Sequence, residues 1–153
     1  MRLNEKIDVE KILNELEDKL PEYKDNQVGL QSVEGNDDPY YACGSILDKE
    51  HKETDFTKFL FNMPYTNSIL EKHNICRARV ARLTRRTCYT YHQDYTKRMH
   101  IPLVTNENCF MIVDDQLHRL PADGSIYIID TTKNHTALNC SKIDRIHIVG
   151  AFK

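Results

Sequence analysis

Residues Cys88 to Val104 read CYTYHQDYTKRMHIPLV, and this stretch decides the fold that we predict for the chain. It is rich in aromatic and β-branched residues, which is typical of short strands. Side chains separated by one residue on a strand project from the same face, about 7 Å apart at the backbone. His92 and Asp94 can therefore converge on a single cation, with Thr90 on the same inward face and Tyr89 on the opposite one.

The pattern from Ile75 onward consists of short strands with turns at close intervals, which favours a barrel or jelly roll of eight strands. Asp114-Asp115 and Ala122-Asp123-Gly124 are predicted turns. The predicted strands are Ile75 to Leu83, Cys88 to Asp94, Lys97 to Val104, Cys109 to Val113, Gln116 to Arg119, Ser125 to Asp130, Thr136 to Cys140 and Ile143 to Val149.

A third metal ligand is predicted at His135, which follows the strand-like run that ends at Asp130. Two imidazoles and one carboxylate on one side of a metal leave positions open for other ligands, as in non-haem iron(II) oxygenases. This set favours oxygen chemistry over a structural zinc site. The other histidines in polar segments, His51, His73 and His118, are expected to be surface or structural residues.

Two pairs of basic residues also share a strand face: Arg145 with His147, and Arg98 with His100. A buried guanidinium is tolerable only when it is paired, and its planar fork suits a carboxylate. We therefore expect an anion in the predicted interior, and a dicarboxylic acid is the simplest choice.

The order of these residues resembles the iron(II)- and 2-oxoglutarate-dependent oxygenases over roughly Arg77 to Val149. The most similar subgroup is the aspartyl/asparaginyl β-hydroxylase-like one, with bacterial free-proline hydroxylases as relatives. The elements of the resemblance are His-x-Asp, Arg-x-His-Ile-Pro-Leu, Asp-Gly-Ser-x-Tyr before a His, and an Arg ten residues beyond that His.

The resemblance implies a mainly β, double-stranded β-helix (jelly roll, cupin-like), with one or two N-terminal helices packed outside. It implies Fe(II) held by His92, Asp94 and His135, 2-oxoglutarate gripped by Arg145, and Arg98 and His100 lining the cosubstrate site. No catalytic residue beyond the metal ligands is expected. Thr90, Asn139 and His147 are weaker candidates to line the same site.

The activity that the resemblance implies is hydroxylation of an unactivated C–H bond with O2, releasing succinate and CO2. The substrate class would be an amino-acid side chain, free or peptidyl. One alternative is a non-catalytic cupin-like module that binds or senses a metal and an organic acid. A metal-dependent isomerase or hydrolase on the same barrel is a second alternative, although neither would require Arg145 and Arg98 together.

The length of 153 residues predicts a single domain, with a helical and loop-rich part over residues 1–74 and the jelly-roll core over 75–150. Apolar spacing predicts a helix from Asp8 to Leu20, with Asp8 as N-cap, and a short helix around Asn67 to Lys72 after a break at Pro64. The segment 21–55 is either a substrate-gating loop or a plain linker.

The net charge of -2 gives no reason to expect a nucleic-acid partner, and no run is long and apolar enough for a membrane span. A run of five arginines is expected to form a solvated face, with an acid- or phosphate-binding patch as the alternative; its members are Arg77, Arg79, Arg82, Arg85 and Arg86. Five cysteines without a CxxC pair favour free thiols and a cytoplasmic location. The oligomeric state is not predicted.

Overall fold

A computed structural model describes residues 1–48 and 50–153. Its helices are α1 (Val9–Lys19) and α2 (Pro64–Lys72), and one 3-10 turn spans Glu53–Asp55. The strands are β1 (Arg2–Lys6), β2 (Gln27–Gly29), β3 (Gln31–Ser32), β4 (Lys58–Phe59), β5 (Ile75–Leu83), β6 (Thr87–Cys88), β7 (Arg98–Val104), β8 (Cys109–Val113), β9 (Gln116–His118), β10 (Ser125–Ile129), β11 (His135–Asn139) and β12 (Arg145–Phe152).

The last eight strands pair in a nested order, as the two arms of one long hairpin would. β8 pairs with β9, β7 with β10, β6 with β11 and β5 with β12, all antiparallel. In addition, β7 pairs with β12 and β8 pairs with β11. These pairings coil the long hairpin into two facing sheets. The predicted double-stranded β-helix is therefore confirmed.

The larger sheet has the order β1-β10-β7-β12-β5-β2 and the smaller one β6-β11-β8-β9. One apolar core lies where α1 and α2 pack on the larger sheet, and Ile12, Leu70 and Ile101 belong to it. A second, smaller core includes Met111 and Tyr127, which come from different sheets. Alternate side chains of the larger sheet thus face either the helices or the interior of the jelly roll.

The N-terminal helix forms as its sequence predicts. The Asp8 side chain accepts a hydrogen bond from the backbone N–H of Lys11, and Ile12 and Leu16 are buried. The second helix begins earlier than predicted, because Pro64 occupies its first turn instead of breaking it. Proline is favoured there, since its missing N–H would have no partner in a helix anyway. No helix in the described ranges is long and apolar enough to cross a membrane.

Both predicted turns are present. Asp114 and Asp115 each have a positive φ, 51° and 61°, which is the geometry of a two-residue turn between β8 and β9. Gly124 has a φ of 82°, and its backbone oxygen accepts from the N–H of Ile7. An edge strand that the sequence analysis did not identify, β1, pairs with β10 beside this turn.

Candidate metal centre

The metal-ligand set predicted from the sequence comes together at one point between the smaller sheet and the start of β7. His92, Asp94 and His135 each offer one ligand atom, and these atoms lie within 4.8 Å of one another. Nε2 of His135 lies 3.9 Å from a carboxylate oxygen of Asp94. His135 is buried, whereas His92 is exposed. The group therefore sits at the edge of the interior, where ligands can reach it.

The hydrogen bonds of the two imidazoles leave the same nitrogen free on each ring. Nδ1 of His92 lies 2.8 Å from the carbonyl oxygen of Thr90, and Nδ1 of His135 lies 3.0 Å from that of Lys133. A carbonyl only accepts, so each Nδ1 carries the hydrogen and each Nε2 presents a lone pair. Each ring can therefore bind a divalent metal through Nε2, and the backbone carbonyl fixes its orientation.

An extra residue in the chain aims His92 inward. Cys88 pairs with Leu138, but His92 forms a bridge with His135, so the segment between them holds one residue more than its partner strand. Such a bulge reverses which side chains face inward. The predicted regular strand Cys88 to Asp94 is therefore wrong beyond Cys88, and Thr90, expected inside, has an exposed side chain.

Asp94 is held by a buried ionic network. Its Oδ2 accepts a hydrogen bond of 3.1 Å from Nε of Arg98. The fork of Arg98 reaches both oxygens of Glu53, at 2.7 and 3.0 Å. Glu53 also accepts 2.7 Å from Arg77 and 2.8 Å from the hydroxyl of Thr96. Burial opposes the charge on Glu53, but these donors hold its pKa down at about 2.

Arg98 was predicted to line the cosubstrate site, and its side chain does line the cavity beside the metal group. Its hydrogen bonds, however, are taken by Glu53, Thr96 and Asp94. The geometry thus gives Arg98 a positioning role toward the metal-binding carboxylate, and its contact with a cosubstrate stays a prediction.

A cavity of about 450 Å³ opens beside the metal group. The ligand group, Arg145, Arg98 and His100 all line it. Its apolar wall includes Met111, Ala137 and Val149. This size falls within the range of small-molecule sites, and the wall combines apolar surface with a few charged groups.

Arg145 lies in this cavity, and no carboxylate of residues 1–48 or 50–153 pairs with it. It is 5% exposed, and its contacts in the described chain are to the two ring nitrogens of His147, at 3.0 and 2.9 Å. A neutral imidazole has one acceptor nitrogen, so His147 can satisfy only one of the five N–H groups of Arg145. Burial lowers the pKa of Arg145 to about 10, so it stays charged at neutral pH. An anion would complete this site.

His100 and His147 form a neutral pair behind Arg145, with Nδ1 atoms 3.5 Å apart. Burial, and then the charge of Arg145, holds the pKa of both imidazoles well below the ordinary value. Nε2 of His100 is buried and has no hydrogen-bond partner among residues 1–48 and 50–153. His100 can therefore bond a ligand in the cavity, whereas His147 does not line it and orients Arg145.

Asn139 is buried on the same strand face as His135 but lies outside the cavity lining. Its amide donates 2.9 Å hydrogen bonds to the carbonyl oxygens of Leu83 and Ile143. It thus joins the end of β11 to β5 and to the turn before β12, which is a structural role.

Several residues of the site were missed or misjudged from the sequence. The arginine run was expected to be a solvated face, which is wrong for Arg77, 7% exposed and paired with Glu53, and for Arg79, which lines the cavity. Tyr89 also lines it, although strand alternation placed it on the other side. Gly44, Ser45 and Ile46 add a wall from the segment 21–55, so that segment is more than a linker.

One protein family and several solved structures match this chain. The sequence profile of the aspartyl/asparaginyl β-hydroxylase family matches residues 8–153. No curated protein matches the sequence significantly.

Solved structures with a similar fold include a cupin domain from Bordetella pertussis Tohama I, 14% identical with a TM-score of 0.43, covering 50% of this chain and 80% of that one. A cupin-2 domain protein from Shewanella frigidimarina NCIMB 400 is 15% identical with a TM-score of 0.40, covering 52% and 72%. The plu4264 protein from Photorhabdus luminescens is 13% identical with a TM-score of 0.41; the match covers 50% of this chain and 61% of that protein.

Proposed function

Because the chain belongs to the aspartyl/asparaginyl β-hydroxylase family, we propose that it is an Fe(II)- and 2-oxoglutarate-dependent dioxygenase. It would hydroxylate an unactivated C–H bond, with an amino-acid side chain, free or peptidyl, as substrate. The observation that carries this proposal is the group His92, Asp94 and His135 at the edge of a cavity that also holds Arg145, which pairs with no carboxylate in the described part of the chain.

The residues present fit an iron(II) ion. Both imidazoles present Nε2 because their Nδ1 atoms donate to backbone carbonyls. Oδ2 of Asp94 accepts from Arg98 and also lies 3.9 Å from Nε2 of His135, and a carboxylate oxygen has a second lone pair for a metal. Two histidines and one carboxylate with open positions suit non-haem iron(II). Because Asp94 supplies the third protein ligand, no extra position is left for a halide, which favours hydroxylation over halogenation.

Arg145 is the residue that would bind the distal carboxylate of 2-oxoglutarate. Its free N–H groups form a planar fork that matches a carboxylate in geometry and charge. His147 fixes the guanidinium from behind, and the unpaired Nε2 of His100 lines the same cavity. These groups would orient the cosubstrate.

Bound iron(II) would supply O2 activation coupled to decarboxylation of 2-oxoglutarate. In the overall reaction one oxygen atom enters succinate, the other enters the substrate hydroxyl, and CO2 leaves. The chain's own residues provide binding and orientation. Met111, Ala137 and Val149 present apolar surface that limits water in the cavity. Arg98 and Glu53 hold the carboxylate ligand in place.

The experiment that tests this proposal measures succinate formed from 2-oxoglutarate by the Fe(II)-loaded protein, with and without O2. We expect O2-dependent succinate that is lost in His135→Ala and retained in His118→Ala, since His118 is exposed on β9 and lies outside the cavity. A protein that binds metal and 2-oxoglutarate but forms no succinate with any candidate amino acid or peptide would instead be a binding or sensing module.

A further inference from the structure

Arg79 is an arginine of the cavity lining to which the proposed function gives no role. It lies on β5, opposite Val149 on β12, and lines the cavity. Its Nε and one terminal nitrogen are buried with no hydrogen-bond partner in the described part of the chain. The residue as a whole is partly exposed, but two buried donors without partners are costly to keep. A carboxylate of a ligand in the cavity would supply the missing partner.

The neighbouring arginines already have their carboxylates. Arg77 and Arg98 share Glu53, and Arg98 also holds Asp94. The cavity lining thus contains four arginines, Arg77, Arg79, Arg98 and Arg145, against the two carboxylates of Glu53 and Asp94. Burial, and then the charges of Arg77 and Arg98, lowers the pKa of Arg79 to about 10, so it is still a cation at neutral pH. The cavity therefore has room in its charge balance for two anionic groups.

The backbones of Arg79 and Arg145 lie at different positions along the sheet. Arg145 pairs with Leu83, four residues along β5 from Arg79, which is about 13 Å. Arg79 lies beside the segment 42–46, because it pairs with Gly29 on β2 and a Cβ on Gly29 would lie 3.5 Å from the sulfur of Cys43. That segment is tied down by Arg77, which donates to the carbonyl oxygens of Ala42 and Gly44. Arg79 thus belongs to the end of the cavity that Gly44, Ser45 and Ile46 enclose.

We propose that Arg79 binds a carboxylate of the substrate, which makes the substrate a small carboxylic acid or a peptide that presents an acidic group. The inference rests on the proposed function in one respect: Arg145 is taken to be engaged by 2-oxoglutarate. A neutral substrate would leave the two buried nitrogens of Arg79 without an anionic partner in the complex.

The test uses calorimetry on the Zn(II)-loaded protein with saturating 2-oxoglutarate, so that no turnover occurs. The probes are pairs that differ by one carboxylate: L-proline with L-prolinamide, and N-acetyl-L-aspartyl amide with N-acetyl-L-asparaginyl amide. The first pair represents a free acid and the second a peptidyl side chain. We expect one acid to bind about 10- to 100-fold more tightly than its amide, because the amide loses a hydrogen bond between two charged groups.

The variants are Arg79→Gln, Arg79→Lys and the control Arg82→Gln. Arg82 is on the same strand, but its guanidinium lies over the Tyr23 ring and its Nε donates to Asn26, away from the cavity. We expect Arg79→Gln to erase the preference for the acid, Arg79→Lys to keep part of it, and Arg82→Gln to retain it fully. The ligand-free Arg79→Gln protein should melt at or above the wild-type temperature, because it loses a buried unpaired charge; a purely structural arginine would give a lower melting temperature.

A separate titration with 2-oxoglutarate distinguishes the two arginines. Arg79→Gln should change its Kd by less than about threefold, and Arg145→Gln should raise it about tenfold or more. The inference is overturned if no acid binds the wild type more tightly than its amide, or if Arg79→Gln keeps that preference. It is also overturned if Arg79→Gln raises the Kd for 2-oxoglutarate as much as Arg145→Gln does. If 2-oxoglutarate does not bind the wild type either, the proposed function fails. The same acid and amide pairs then test Arg79 on the Zn(II)-loaded protein without 2-oxoglutarate.

Discussion

Glu53 offers a quantitative test of the network behind the metal group. Its carboxylate is 11% exposed and holds two arginine side chains, Arg77 and Arg98. Glu53→Gln keeps the shape of the side chain but removes the charge that these two guanidinium groups share. Removing one partner of a buried ion pair is costly because the other charge is left behind.

The expected size follows from the pKa of Glu53, which is lowered from 4.5 to about 2. At 1.36 kcal/mol for each pH unit, this difference corresponds to about 3 kcal/mol of stability at neutral pH. For a chain of 153 residues, that is a fall of roughly 6 to 12 °C in Tm. Because the folded pKa is the lower one, the contribution is complete above pH 4.5 and is lost as the pH falls toward 2.

The assay is urea unfolding of wild type and Glu53→Gln between pH 7 and pH 2.5, with Glu17→Gln on the exposed face of α1 as control. We expect the difference in unfolding free energy to be about 3 kcal/mol at pH 7 and to shrink steadily below pH 4.5, while the control stays within about 0.5 kcal/mol of wild type. A difference that is independent of pH, or below about 1 kcal/mol at pH 7, would refute the assigned network.

Two further outcomes follow from single contacts. Arg98→Gln should weaken Zn(II) binding about 10- to 100-fold, because Asp94 loses the group that orients it; an unchanged metal affinity with weaker 2-oxoglutarate binding would place Arg98 at the cosubstrate instead. Gly124→Ala should destabilise the fold by about 2 to 4 kcal/mol in denaturant titrations, since Gly124 has a φ of 82° and a Cβ would meet the backbone oxygen of Ile7 at 2.5 Å. Gly44→Ala, where a Cβ meets nothing within 4 Å, should be near neutral, and equal losses in both would contradict this reasoning.

The strands and the ligand set could be predicted because their signals are local. Alternation and turn residues place β5 and β8 at the predicted bounds, and the cap at Asp8 marks the start of α1. The ligand set could be predicted from its spacing, because the nested pairing brings His135 on β11 and Arg145 on β12 close to the segment after β6 that holds His92 and Asp94.

The rest depends on contacts between distant segments. The bulge after Cys88 is visible only in the pairing with β11, so strand alternation placed Thr90 inside and Tyr89 outside. Arg77 has a φ of 51° at an irregularity in β5, which lets it turn to Glu53, 24 residues earlier in the chain. A run of arginines is predicted to be exposed to solvent unless a buried carboxylate partner can be identified. The sequence alone does not identify Glu53 as that partner.

The central claim is that His92, Asp94 and His135 hold iron(II) and that Arg145 holds 2-oxoglutarate beside it. The most direct measurement adds Fe(II) and then 2-oxoglutarate to the protein without O2 and follows the visible charge-transfer absorption of the chelate. We expect the band in the wild type, none in His135→Ala, and in Arg145→Ala a band that needs about tenfold more 2-oxoglutarate although Fe(II) still binds. A wild type without the band, or an Arg145→Ala titration equal to the wild type, would contradict the account.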